Sequence, residues 1–87
     1  MATTRTTAAI PGGGTVTLGP RALRLGLKFR NLSAGAMTIA GAAGWTAPVA
    51  AVAVYIEMPV APELAMQGPL TVTGTATQVY DLVEVYR

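Results

Sequence analysis

Apolar residues recur at every second position along most of this chain, and a period of two restricts it to strands. In the run from Leu23 to Arg30, Leu23, Leu25, Leu27 and Phe29 fall on one side, and Arg24, Gly26, Lys28 and Arg30 on the other. That pattern predicts one buried face and one outward face. Val52, Val54, Ile56 and Met58 likewise share a face opposite Ala53, Tyr55 and Glu57. Shorter segments of the same kind are Thr15 to Leu18, Ala36 to Ala40 and Leu70 to Thr73, and the chain closes on the β-branched and aromatic run from Val79 to Tyr86.

Turn signals separate these segments at Gly19-Pro20, Asn31 to Gly35, Gly41 to Pro48, Pro59 to Pro62, Gly68-Pro69 and Gly74. The fold class predicted is all-β, a small antiparallel β-sandwich or β-barrel of about six strands with no substantial helix. Glu63 to Gln67, set between Pro62 and Gly68, has room for one helical turn at most. Residues 1–13, dominated by Thr, Ala and Gly, read as a flexible N-terminal arm, and residues 14–87 as a single β domain. Trp45 lies in a Gly- and Ala-rich stretch read as a loop, where its ring is expected to plug the end of the barrel.

The residue inventory excludes most chemistry. With no His and no Cys, the chain lacks the usual general base near neutral pH, the commonest metal ligand, and any disulfide or zinc framework. The triple glycine Gly12-Gly13-Gly14 leads into a strand rather than a helix N-terminus, so it reads as a hinge and not a phosphate loop. Asp81 and Glu84, three apart on a strand, fall on opposite faces and cannot share a cleft as an acid and base pair. Ser33 has only Lys28 as a nearby base and reads as a turn residue. The expectation is therefore no enzyme activity, no metal and no cofactor.

Charge and apolar content point to partners instead. Of 87 residues, 52% are apolar and 11% charged, more apolar surface than so small a domain keeps from water, so part of it is expected against neighbours. Asn31 to Ile56 carries no charge, yet its Gly35, Gly41, Gly44 and Pro48 argue against a membrane span, and no membrane partner is expected. Arg5, Arg21, Arg24, Lys28 and Arg30 all precede Glu57, Glu63, Asp81 and Glu84. Such a division suits ion pairs between early and late strands, or complementary patches between copies. The basic ladder Arg24, Lys28 and Arg30 lacks interleaved aromatics, which disfavours nucleic acid as a partner and favours a cross-strand pair with Glu57 or Glu84.

The run Arg24-Leu25-Gly26-Leu27-Lys28-Phe29-Arg30-Asn31-Leu32-Ser33, two small residues, then Met37-Thr38-Ile39, resembles the small β-structured virion proteins of tailed bacteriophages, and the closing segment from Leu70 to Arg87 is similar too. The resemblance implies a non-enzymatic capsid decoration or cement protein, or a head or tail accessory, located in the virion after assembly in the host cytoplasm. Its expected partners are the major capsid protein and further copies of itself in a homo-oligomer, a trimer being one candidate. On this reading Arg5, Arg24, Lys28 and Arg30 contact the capsid, and Trp45, Tyr55 and Tyr86 lie at interfaces between copies. The alternatives are a tail or fibre module binding a receptor or glycan, with Trp45 and Tyr80 stacking on sugar, and a small nucleic-acid-binding barrel.

Overall fold

The computed structural model describes residues 2–20, 24–42, 44–58 and 66–87. They form eight strands and, among the described residues, no helix: β1 (Ala2–Ala9), β2 (Thr15–Leu18), β3 (Arg24–Asn31), β4 (Met37–Gly41), β5 (Thr46–Val49), β6 (Val54–Glu57), β7 (Leu70–Thr73) and β8 (Val79–Tyr86). Two four-stranded sheets result, sheet A in the order β1-β8-β3-β6 and sheet B in the order β2-β7-β4-β5, with every pairing antiparallel. Successive strands thus alternate between the layers except at the β4–β5 hairpin, the double Greek-key order of an eight-stranded jelly roll.

The all-β sandwich expected from the period of two is the observed class. Two strands escape that reading. Residues 2–9, expected as part of a flexible arm, form β1, paired along its whole length with β8 from Ala2 opposite Tyr86 to Ala9 opposite Val79. Thr residues with intermediate burial at Thr4 and Thr6 give β1 too little apolar contrast for a period to show. The Trp45 segment contains β5, whose Pro48 lacks a backbone donor and is accommodated because β5 is an edge strand. Arg21, Leu23 and the connector at 59–65 lie outside the described residues.

Between the sheets lies one core. Sheet A contributes Leu27, Phe29, Tyr80 and Leu82, sheet B contributes Met37, Ile39, Ala47, Val49, Leu70 and Val72, and Ile10 and Met66 enter from the connections. Phe29 and Tyr80 stack with ring centroids 5.6 Å apart. Asn31 is buried at the end of β3, where its Nδ2 donates to the carbonyls of Gly35 (2.7 Å), Val49 (3.2 Å) and Ala50 (3.3 Å), and its Oδ1 accepts from Ser33 N–H (2.8 Å). One amide thereby ties the turn after β3 to the end of β5 and the residue that follows it. Ser33 is a turn residue as expected, its Oγ accepting from Val79 N–H at 2.7 Å.

The outer faces differ. Register places Thr15, Thr17, Thr38, Thr46, Thr71 and Thr73 on the outside of sheet B, a neutral surface. Every described charged residue except Arg87 sits on a strand of sheet A. Gly26 matters to that sheet because a Cβ there would lie 2.5 Å from the Glu57 carbonyl oxygen and collide with Met58 Sδ. Gly26→Ala is expected to cost about 1–3 kcal/mol through forced displacement of β6, against about 0.5 kcal/mol or less for Lys28→Ala on the same strand, read by urea unfolding.

Candidate interaction face on sheet A

The expected ladder of Arg24, Lys28 and Arg30 does not form. Along β3 the alternation holds from Asn31 back to Gly26, then breaks at a bulge: Gly26 pairs with Val85 and Arg24 with Tyr86, leaving Leu25 as the extra residue. One extra residue moves Arg24 to the inner face. There Arg24 is 1% exposed, its Nε and Nη2 bonded to Glu84 Oε2 at 2.8 and 2.7 Å. Its Nη1 donates to the carbonyls of Met66 (2.6 Å) and Gly68 (2.9 Å), and Nη2 to that of Gly19 (3.2 Å). Arg24 is therefore a core residue and is withdrawn from the capsid-contacting set. The cross-strand pair with Glu84 is the one expected from the separation of basic and acidic residues.

Arg5 is also corrected. It is not on a free arm but on β1, where its Nε and Nη2 hold Asp81 Oδ1 and Oδ2 at 2.9 and 2.8 Å in a bidentate fork, with Thr7 Oγ1 adding a third bond at 2.9 Å. The Arg5 bond, aided by Thr7 and by the charges of Arg5 and Arg30, holds the Asp81 carboxyl below its ordinary range against the opposing effect of burial. Asp81 and Glu84 fall on opposite faces of β8, as expected, and both are buried, each beside a paired cation.

Lys28 and Arg30 remain on the outer face, both exposed. Their cross-strand partners on β6 are Ile56 and Val54. The alternation of Val52 to Met58 holds as read, but its apolar side is the outer one: Val52, Val54, Ile56 and Met58 are 69, 47, 61 and 52% exposed, while Tyr55 and Glu57 turn inward. The pattern alone could not tell which side was buried. Charged Glu57 is tolerated inside because β6 is at the sheet edge and the Tyr55 hydroxyl donates to its Oε1. Burial, that bond and the Glu57 charge push the Tyr55 phenol up to about 12.

Of the three residues expected between copies, the structure brings two together. Trp45 packs on the core and stacks on Tyr55 with centroids 6.3 Å apart, half-buried at the open side of the sandwich. Tyr86 lies elsewhere, at the Arg24 end of β8, where its Oη accepts from Thr4 Oγ1 at 2.9 Å. Tyr80, expected beside Trp45 in a sugar site, is 1% exposed beneath Phe29 and unavailable to a ligand.

No protein-family model matches the chain, and no curated protein sequence matches it. Among solved structures it is similar to a crystal structure of PirA, with a TM-score of 0.55 and 19% identity over 98% of this chain and 93% of that one. It also aligns with a crystal structure of protein NMB1881 from Neisseria meningitidis, with a TM-score of 0.45 and 13% identity over 92% of this chain and 82% of that one. The PirA likeness supports the β fold.

Two outcomes are expected of these contacts. Arg24→Ala, which strands a buried carboxylate, should lose about 3–5 kcal/mol, and Arg24→Met combined with Glu84→Leu should lose clearly less than the sum of the single changes in a double-mutant cycle. For Asp81 the folded-state pKa is depressed, so its stabilisation is present above the ordinary carboxylate range near about 4 and is lost as pH falls through the lower folded value. Wild-type midpoints in urea should therefore drop between pH 5 and pH 2 (about the span that covers both values) more steeply than those of Asp81→Asn.

Proposed function

We propose that the chain is a non-enzymatic assembly module, a capsid decoration or cement protein of a tailed bacteriophage whose copies associate and seat on a shell of major capsid protein. The observation that carries this reading is the outer face of sheet A, where the exposed apolar row of β6 runs beside Lys28 and Arg30. Monomeric soluble domains seldom keep a contiguous apolar row in water unless it meets something. Two cations beside it fit a partner surface that carries carboxylates among apolar groups. Lys28 and Arg30 stay in the capsid-contacting set with Arg5, whose side chain holds Asp81 yet is 70% exposed on the same face; Arg24, buried, does not.

The architecture cannot choose between roles, since jelly rolls serve capsids, lectins and cupins alike, so the face and the virion resemblance of the segment from Arg24 to Ile39 support the reading together. Many copies would act by summing modest contacts over a repeating lattice. The glycan alternative loses its second aromatic with Tyr80 in the core. The nucleic-acid alternative loses Arg24, and no aromatic side chain shares the face of Lys28 and Arg30 among the described residues.

Sedimentation of particles from lysed source cells tests the proposal. The chain is expected to travel with shell particles in a fixed ratio to the major shell protein, and Lys28→Glu to shift it to the soluble fraction while leaving its melting temperature unchanged. Recovery only in the soluble fraction at every particle density contradicts the reading.

A further inference from the structure

The free edge of β6 has its own logic. Asn31 N–H donates to the Ala53 carbonyl at 3.0 Å, which fixes the phase of the β3–β6 ladder. With Arg30 opposite Val54 and Lys28 opposite Ile56, residues 53, 55 and 57 face their backbone groups toward β3, and residues 54 and 56 face theirs away from it. Among the described residues β6 is the end strand of sheet A, so the N–H and C=O groups of Val54 and Ile56 are presented at the edge.

We propose that β6 pairs with β6 of a second copy, antiparallel about a two-fold axis through Tyr55; this deepens the assembly reading above and rests on it. The pairing is self-complementary in three respects. Hydrogen bonding matches, because an axis at Tyr55 sets Val54 against Ile56 of the second copy, the two residues whose backbone groups point outward. Side chains match, because the same axis pairs Val54 with Ile56 across the interface, joining the two exposed rows into one apolar strip on a single face. Charges permit it, because Lys28 then stands three strand spacings, about 14 Å, from Arg30 of the second copy, beyond the screening length of about 8 Å at physiological salt.

Val52, just before β6, holds a φ of 54° as the third residue of the turn from Ala50 to Ala53, which Ala53 N–H closes by donating to the Ala50 carbonyl at 3.0 Å, and it is 69% exposed beside the row. The joined sheets keep both sets of Lys28 and Arg30 on the face that carries the strip, so the dimer enlarges the surface offered to a shell.

Four-residue strands make a smaller contact than the roughly 800 Å² per partner of a stable complex, so the dimer is expected to dissociate on dilution. Three variants of the full chain test it by sedimentation velocity across a concentration series. Ile56→Lys should weaken self-association at least tenfold with an unchanged melting temperature. Tyr55→Cys, in a chain without cysteine, should form a disulfide-linked dimer on mild oxidation, since residues paired across the axis stand about 4.5 Å apart at Cα, whereas Lys28→Cys should not. Wild-type self-association that is unchanged by Ile56→Lys and gives no Tyr55→Cys cross-link overturns the β6 pairing and leaves the assembly reading standing. A wild type that stays monomeric at every concentration overturns the pairing too, and particle sedimentation then decides the assembly reading separately.

Discussion

The buried ion pair between Arg24 and Glu84 is the contact on which the rest of the molecule's surface depends. It joins β3 to β8 at the end of the sandwich, and the same guanidinium donates to the carbonyls of Gly19, Met66 and Gly68, which belong to connections running to and from sheet B. Removing a charge from water is costly unless its partners are nearly complete, and here the guanidinium meets one carboxylate and three carbonyls. The bulge at Leu25 makes this possible by turning Arg24 inward. With Arg24 inside and Arg5 held by Asp81, the outward positive charge of sheet A is concentrated at Lys28 and Arg30, beside the apolar row of β6.

How legible this was depended on what each residue could signal. The alternation of Val52 to Met58 located a strand correctly, but two-fold periodicity carries no sign, and only the position of β6 at a sheet edge shows that valine, isoleucine and methionine face water while Tyr55 and Glu57 face in. Arg24 was misread because a bulge costs one residue of register and leaves no compositional trace beyond Gly26 two positions on. β1 was hidden by threonine and alanine, which pair well in a sheet yet offer no apolar contrast. In both cases the missing information was long-range: residues 2–9 acquire their structure from β8, nearly the whole chain away. Ion pairing between early basic and late acidic residues was readable, since opposite charges at opposite ends of an antiparallel fold tend to meet.

Two outer faces of one sandwich thus do different work. Sheet B shows water a field of threonines, which need no partner. Sheet A shows an apolar row, two cations and a strand edge whose phase is fixed by Asn31, itself anchored to Gly35, Val49 and Ala50. The exposed Val52 lies at the start of that row. Exposed apolar area weighs against the isolated chain, and it is used when a second edge is laid alongside.

Amide hydrogen exchange, residue by residue, measures that edge most directly. In dilute protein the Val54 and Ile56 amides are expected to exchange fast while those of Tyr55 and Glu57, turned toward β3, stay protected; raising the concentration should then slow Val54 and Ile56 selectively. Fast exchange at Val54 and Ile56 that persists at every concentration, or protection equal to that of Tyr55 in the dilute chain, would contradict an open edge that pairs with its own copy.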